Sequence, residues 1–295
     1  MKKKSHWLSV LKQTFKSWND DDISFLSASL AYYTTFSLVP LIVICIYIAG
    51  LFFGKEAVTE ELLNQFQNTF GPESVEQIKT MISKSTNPTK NIFSQVVGII
   101  ILILAASGVF GALQIGLNAV WHVKPSPDRG IIAFIKDRFL SFSMVLGVGF
   151  LLLVSLVFTV IITATSDLIN SYVKGGEIIG LVLNYFFSIA IITVLFAMMF
   201  KYLPDVKNRW RDVWLGAFIT TLLFTLGKFL IGIYLGYSDT ASEFGAAGSL
   251  ILILIWVFYS AQIFFLGAEF TKAYTMHKGR PIIPTKNAVA VSIKH

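Results

Sequence analysis

The chain of 295 residues is 55% hydrophobic and only 14% charged, with a mean hydropathy of +0.69. Soluble globular domains carry about 25% charged residues and disordered chains are polar, so both classes are excluded. A net charge of +7 would by itself suit a nucleic-acid binder, and the placement of the charges decides what it means.

Residues 1–23 read as an amphipathic N-terminal segment. They open with Lys2, Lys3 and Lys4 and show no apolar core ending in a small-residue cleavage site, so no signal peptide is expected. Trp7, Leu8, Leu11 and Phe15 follow helical spacing among basic residues, which suits a helix lying on an anionic inner leaflet. Asp20, Asp21 and Asp22 come just before the first long helix. Carboxylates stabilise the positive end of a helix dipole, so capping is the plain reading of this triplet.

Six apolar stretches then reach the roughly 20 residues that a membrane helix needs. They run from about Ser24 to Phe53, Phe93 to Ala119, Phe139 to Thr165, Ile178 to Tyr202, Val213 to Gly236 and Ala246 to Lys272. They are continuous rather than alternating, and lipid cannot satisfy an exposed backbone, so helices are expected. The predicted fold is an all-α membrane protein with six transmembrane helices over residues 24–274. Alternate loops differ sharply in charge. Eighteen of the 24 Lys and Arg residues fall in the N-terminal segment, the loops after spans two and four, and the tail 275–295 with its approach from Lys272. The positive-inside rule therefore predicts that the N- and C-termini are both cytoplasmic. The charge is a topology signal, and no nucleic acid is expected as a partner. Trp121, Trp210 and Trp214 at one boundary, with Tyr234 and Tyr237 at the other, match an aromatic belt.

The external loop 54–91 holds two helical patterns, Val58/Leu62/Leu63/Phe66 and Val75/Ile78/Ile82, split at Gly71-Pro72. Two short amphipathic helices are expected there, either capping the membrane surface or forming a substrate-collecting lid. The tail beyond Thr275, with Pro281 and Pro284, is expected to be loose. Cys45 is the single cysteine, so neither a disulfide nor a thiolate metal site can form within the chain.

Polar and small residues inside the spans are the candidates for function. Gly108, Ala112 and Gly116 form a small-residue row that admits a close helix neighbour, and Gly232 and Gly236 form a second one. Such rows also leave room for a homo-oligomer. Gln114 and Asn118 share a helix face, and either bond a neighbouring helix or line a polar path. Pro40 interrupts the first span just after a polar patch that includes Tyr32, Tyr33 and Ser37. Lys228 lies eight residues from Gly236, about 12 Å from the expected outer end. It either snorkels to Asp239 or Glu243 or meets an anionic headgroup. Glu269 stands three residues before Lys272, as an intrahelical pair or an ion-coupling group, and Gln262 lies deeper in the same span.

SLAYYTTFSLVPL from Ser29, GALQIGLNAVWHV from Gly111, KYLPDVKNRWRDVWLGAF from Lys201 and GAAGSLILILIWVFYSAQIFFLGAEFTKAY from Gly245 resemble the landmarks of the YihY/BrkB family. These are bacterial inner-membrane proteins whose old ribonuclease BN label is regarded as a misassignment. The resemblance covers nearly the whole chain in order. It implies a six-span protein of the bacterial cytoplasmic membrane, with some members linked to envelope lipid or lipopolysaccharide handling.

The expected function is a transporter or translocase of an envelope lipid or another amphipathic anion. Membrane lipids of the anionic inner leaflet are the expected partners, and one of them is the candidate substrate. A non-catalytic membrane scaffold is the alternative. A ribonuclease is the weakest reading: His6, His122, His277 and His295 are scattered, and the acids at 20–22 have no histidine near them in sequence. No catalytic residue, metal ligand or cofactor is expected, and no nucleotide-binding or hydrolase fingerprint occurs.

Overall fold

A computed structural model describes residues 2–70, 75–76, 79–80, 108–127, 130, 176–237 and 248–291. Helix α1 (Lys2–Asp20) turns into α2 (Ile23–Phe53). The first apolar stretch is therefore one continuous helix. It passes through Pro40, whose missing N–H removes one rung of the ladder. The chain reverses at Gly54, where φ is +86°, a region that disfavours residues with a Cβ. Helix α3 (Lys55–Phe70) then packs on α2. Val58 is buried with Ile42 and Ile46, and Leu62 and Leu63 join the same cluster. The first of the two expected amphipathic helices is thus seated on α2. Of the second, residues 75–76 and 79–80 are helical.

Helix α4 (Gly108–Val120) is the described part of the second apolar stretch. The third stretch, 139–165, lies outside the described residues. The last three expected stretches are α5 (Gly176–Tyr202), α6 (Trp210–Tyr237) and α7 (Gly248–His277), the last running five residues past Lys272. Val182–Tyr202, Trp210–Leu230 and Leu250–His277 are each long and apolar enough to cross a membrane.

The α6–α7 seam rests on two Gly-x-x-x-Thr pairs. Gly216 faces Thr271, and Gly267 faces Thr220. A methyl on Gly216 would overlap the Thr271 hydroxyl, and one on Gly267 would overlap that of Thr220 and lie 2.9 Å from its Cβ. Each hydroxyl bonds back into its own helix, Thr220 to the Gly216 carbonyl at 2.7 Å and Thr271 to the Gly267 carbonyl at 2.8 Å. The backbones can then approach without burying an unpaired donor. Gly232 and Gly236 are helical in α6, but their surroundings lie outside the described residues.

The predicted small-residue row on α4 is divided between two neighbours. Gly108 lies against Ser37 and Tyr33 of α2, and a methyl on Gly116 would overlap the Phe265 ring of α7. Ala112 packs on the main core between them. That core joins Ile23, Leu117, Val120, Trp121, Phe200 and Phe265. Trp121 is 1% exposed, so it is a core residue and not part of an aromatic belt. The chain turns directly after α4 and folds its indole inward. Trp210 and Trp214 are exposed as the belt requires.

The α1 helix lies against the end of α7. Val10 is buried with Phe270 and Ala273 next to Leu215 and Ile219 of α6, and Trp7 stacks on Phe270 and Tyr274.

The tail is tied down. Strand β1 (Val123–Pro125) pairs antiparallel with β2 (Ala288–Ala290), so the described fold is helical with one small sheet at its end. Lys207 N donates to the Ile283 carbonyl at 2.8 Å and Thr285 N to the Asp205 carbonyl at 2.9 Å. Two loops thus supply the backbone partners that the extended, proline-containing tail lacks within itself. The N-terminal segment, the loop after α4, the loop after α5 and the tail all meet at this end. These are the four segments that hold the excess of basic residues.

Candidate functional site

Two polar nodes occupy the end where these segments meet. The first is built where three elements terminate or pass. The turn between α1 and α2 places Asp22 at φ +50°, ψ +44°, as the N-cap of α2, with no side-chain capping bond. Asp21 is thereby turned inward, its side chain 8% exposed. After α4, His122 takes φ +52°, its N–H reaching the Ala119 carbonyl at 3.0 Å and its carbonyl accepting Val291 N at 2.8 Å. Asp22 and His122 are the two non-glycine residues with positive φ among the described residues. Such backbone costs about 1–2 kcal/mol per residue and persists where surrounding contacts enforce it.

The contacts are a four-residue charged cluster. His122 Nε2 is 2.9 Å from both carboxylate oxygens of Asp21. Lys272 Nζ of α7 is 2.9 Å from Asp21 Oδ2 and 3.3 Å from Glu269 Oε2. It also approaches His122 Nε2 at 3.1 Å. An ionised carboxylate only accepts, so the Asp21 bond needs a proton on Nε2. The Lys272–His122 approach is then a contact between two donors, both aimed at Asp21. Burial pushes the Asp21 carboxyl up, but the His122 hydrogen bond and the Lys272 charge outweigh it and hold the group well below its ordinary 3.8. Lys272 is 4% exposed and Glu269 is wholly buried.

The triplet 20–22 is therefore more than a cap, and its central acid does meet a histidine, 101 residues away in sequence. The predicted Glu269–Lys272 pair forms, but Lys272 is shared with Asp21, and the pair is enclosed by protein.

The second node is Asp205. Asn118 Nδ2 donates to its Oδ2 at 2.8 Å, Asn118 Oδ1 accepts its backbone N–H at 2.8 Å, and Gln114 Nε2 reaches Oδ1 at 3.4 Å. Gln114 and Asn118 thus anchor the loop after α5, and through Asp205 the tail. Nearby, Arg280 pairs with Asp212, and Lys201 donates to the Asn208 carbonyl.

The other candidates are dispersed. Lys228 is exposed on α6 beside a niche formed with Phe224, Trp256, Tyr259 and Ser260. Tyr32 is exposed and packs edge-on to Tyr33 at 5.9 Å, while Ser37 is buried. Gln262 Oε1 is buried without a hydrogen-bond partner among the described residues. Glu243 lies outside the described residues. Sequence reading missed Asp21, His122, Asp205 and Lys272 as site residues. The signal was present in part: three of the four landmark segments, those starting at Gly111, Lys201 and Gly245, supply His122, Asp205 and Lys272 to this one end.

The family profile described as Virulence factor BrkB matches residues 14–289. The chain belongs to the BrkB family. It is 27% identical over 270 residues to a UPF0761 membrane protein of Idiomarina loihiensis, covering 90% of this chain and 91% of the relative. It is 26% identical over 308 residues to one of Photobacterium profundum, covering 99% and 93%. Against a UPF0761 membrane protein of Pseudomonas paraeruginosa identity is 25% over 245 residues, and the match takes in 82% of this chain but 57% of that relative's length. No solved structure matches. With its spanning helices, this BrkB-family chain is a multi-pass membrane protein.

Proposed function

We propose that this BrkB-family protein is a six-span transporter of the bacterial cytoplasmic membrane that moves an envelope lipid or another amphipathic anion. It acts without enzymatic chemistry. The observation that carries this reading is the buried Asp21–His122–Lys272–Glu269 cluster, which joins the first helix pair, the end of α4 and the last helix. Buried charges are costly to desolvate, and this cluster sits at the end of the bundle that a path through it would have to cross. A closure made of ion pairs can exchange its protein partners for water when it opens. Desolvation offsets much of the pairing energy, so the closed and hydrated states are close in free energy. An apolar plug has no such balanced alternative. Lys228, exposed nine residues from the end of α6, supplies a cation about 13 Å into the span for an anionic headgroup.

A membrane scaffold is the second reading, favoured by the close Gly-x-x-x-Thr seam of α6 and α7. Native mass spectrometry after detergent exchange separates the two. Transport predicts retained anionic lipid that is lost in Lys228→Ala, whereas a scaffold retains none. The relatives and the geometry give no support to a ribonuclease.

A further inference from the structure

We propose that α1 docks on the anionic inner leaflet as a half-embedded strap, with lipid headgroups and acyl chains covering its outer edge; this holds whether or not the protein transports. The helix has three faces. One is consumed by the bundle, where Val10 and Thr14 are buried. The next carries Leu8, Leu11 and Phe15, which are 67%, 45% and 60% exposed although they are large and apolar. At about 100° per residue these three fall within about 60° of one another. Lys12 and Lys16 are exposed and border that edge on the side away from the bundle. Gln13, exposed, lies nearly opposite the edge.

The level of the helix also fits. Val10 packs beside Leu215, the residue after Trp214, and Trp7 stacks on Tyr274. Trp210 and Trp214 are exposed at the start of a spanning helix, where aromatic rings mark the membrane boundary. An apolar edge held at that depth, with lysines on its watery border, has the chemistry of an interfacial helix on an anionic surface. Charge complementarity therefore selects the bilayer over a second copy of the chain as the occupant.

The test uses the full chain with Cys45, its one cysteine, replaced by alanine, and spin labels at single cysteines introduced as Leu8→Cys, Leu11→Cys, Phe15→Cys and Gln13→Cys. Each is reconstituted in nanodiscs of phosphatidylcholine with or without phosphatidylglycerol. Labels at 8, 11 and 15 should be relaxed by oxygen more than by a water-soluble nickel chelate, and the label at 13 the reverse. Phosphatidylglycerol should deepen the first three, and Lys12→Gln with Lys16→Gln should abolish that increment, at roughly fivefold per lysine in local lipid enrichment. Nickel access at 8, 11 and 15 equal to that at 13 would overturn the proposal. So would protection from both reagents, which would mean that another protein surface covers the edge.

Discussion

Removing Lys272 should uncover what the charged cluster contributes. In Lys272→Met the Asp21 carboxylate loses a partner at 2.9 Å while it and the vacated site stay enclosed, since the two side chains are 8% and 5% exposed. Removing one member of a buried pair destabilises by about 3–5 kcal/mol. Both Asp21 oxygens keep His122 at 2.9 Å, which places the expected loss near the lower end, about 3 kcal/mol. Asp21→Asn on the Lys272→Met background removes the stranded charge and should restore part of this loss, giving a coupling of about 1–3 kcal/mol in a double-mutant cycle. Reversible denaturation of the purified protein in mixed micelles, followed by tryptophan fluorescence, reads all four corners of the cycle. Strictly additive effects, or a loss below about 1 kcal/mol in Lys272→Met, would refute the idea that these charges depend on one another.

The same cluster sets a pH response. Asp21 is held well below its ordinary 3.8, so its contribution is fully present above that pH and drains away as pH falls from there through the lower value it has in the folded protein. Asp21→Asn should therefore flatten the acid limb of a stability profile below about pH 5, with little change of its slope above that. At the helix seam, Gly267→Ala should cost about 1–3 kcal/mol, because the added methyl overlaps the Thr220 hydroxyl, and Thr220→Ala, which removes that hydroxyl, should recover part of it, as read by thermal unfolding in detergent. Asn118→Ala removes both sides of its exchange with Asp205 and should cost about 1–3 kcal/mol; proteolysis of the tail after Arg280 should quicken, because Asp205 also holds Thr285.

The long apolar helices were legible because a continuous apolar run is a local signal, and the observed bounds of α2 and α5 lie within two residues of the expected ones. The row on α4 was legible for the same kind of reason, since a four-residue spacing is local. The seam that closes α6 on α7 was not, because it alternates Gly with Thr and its pairing is between helices. The charged cluster was less legible still. Asp21 and Lys272 are 251 residues apart, and periodicity carries no information about such pairs. The prolines of the tail suggested looseness, whereas its backbone bonds go to loops some 80 and 160 residues away. Of the two alternatives for Gln114, bonding a neighbour or lining a polar path, the first is seen, since its amide reaches Asp205, whereas Lys228 lies beside a separate niche on α6.

Transport is the central claim, and a leaflet-exchange assay tests it most directly. Purified protein in proteoliposomes that hold a fluorescent anionic phospholipid should speed the loss of inner-leaflet protection from an external reductant over protein-free vesicles. Lys228→Ala should slow that exchange while its unfolding free energy stays within about 0.5 kcal/mol of the parent, because Lys228 is exposed. Exchange no faster than in protein-free vesicles, for a panel of anionic and zwitterionic lipids and in both insertion orientations, would contradict the claim and leave the scaffold.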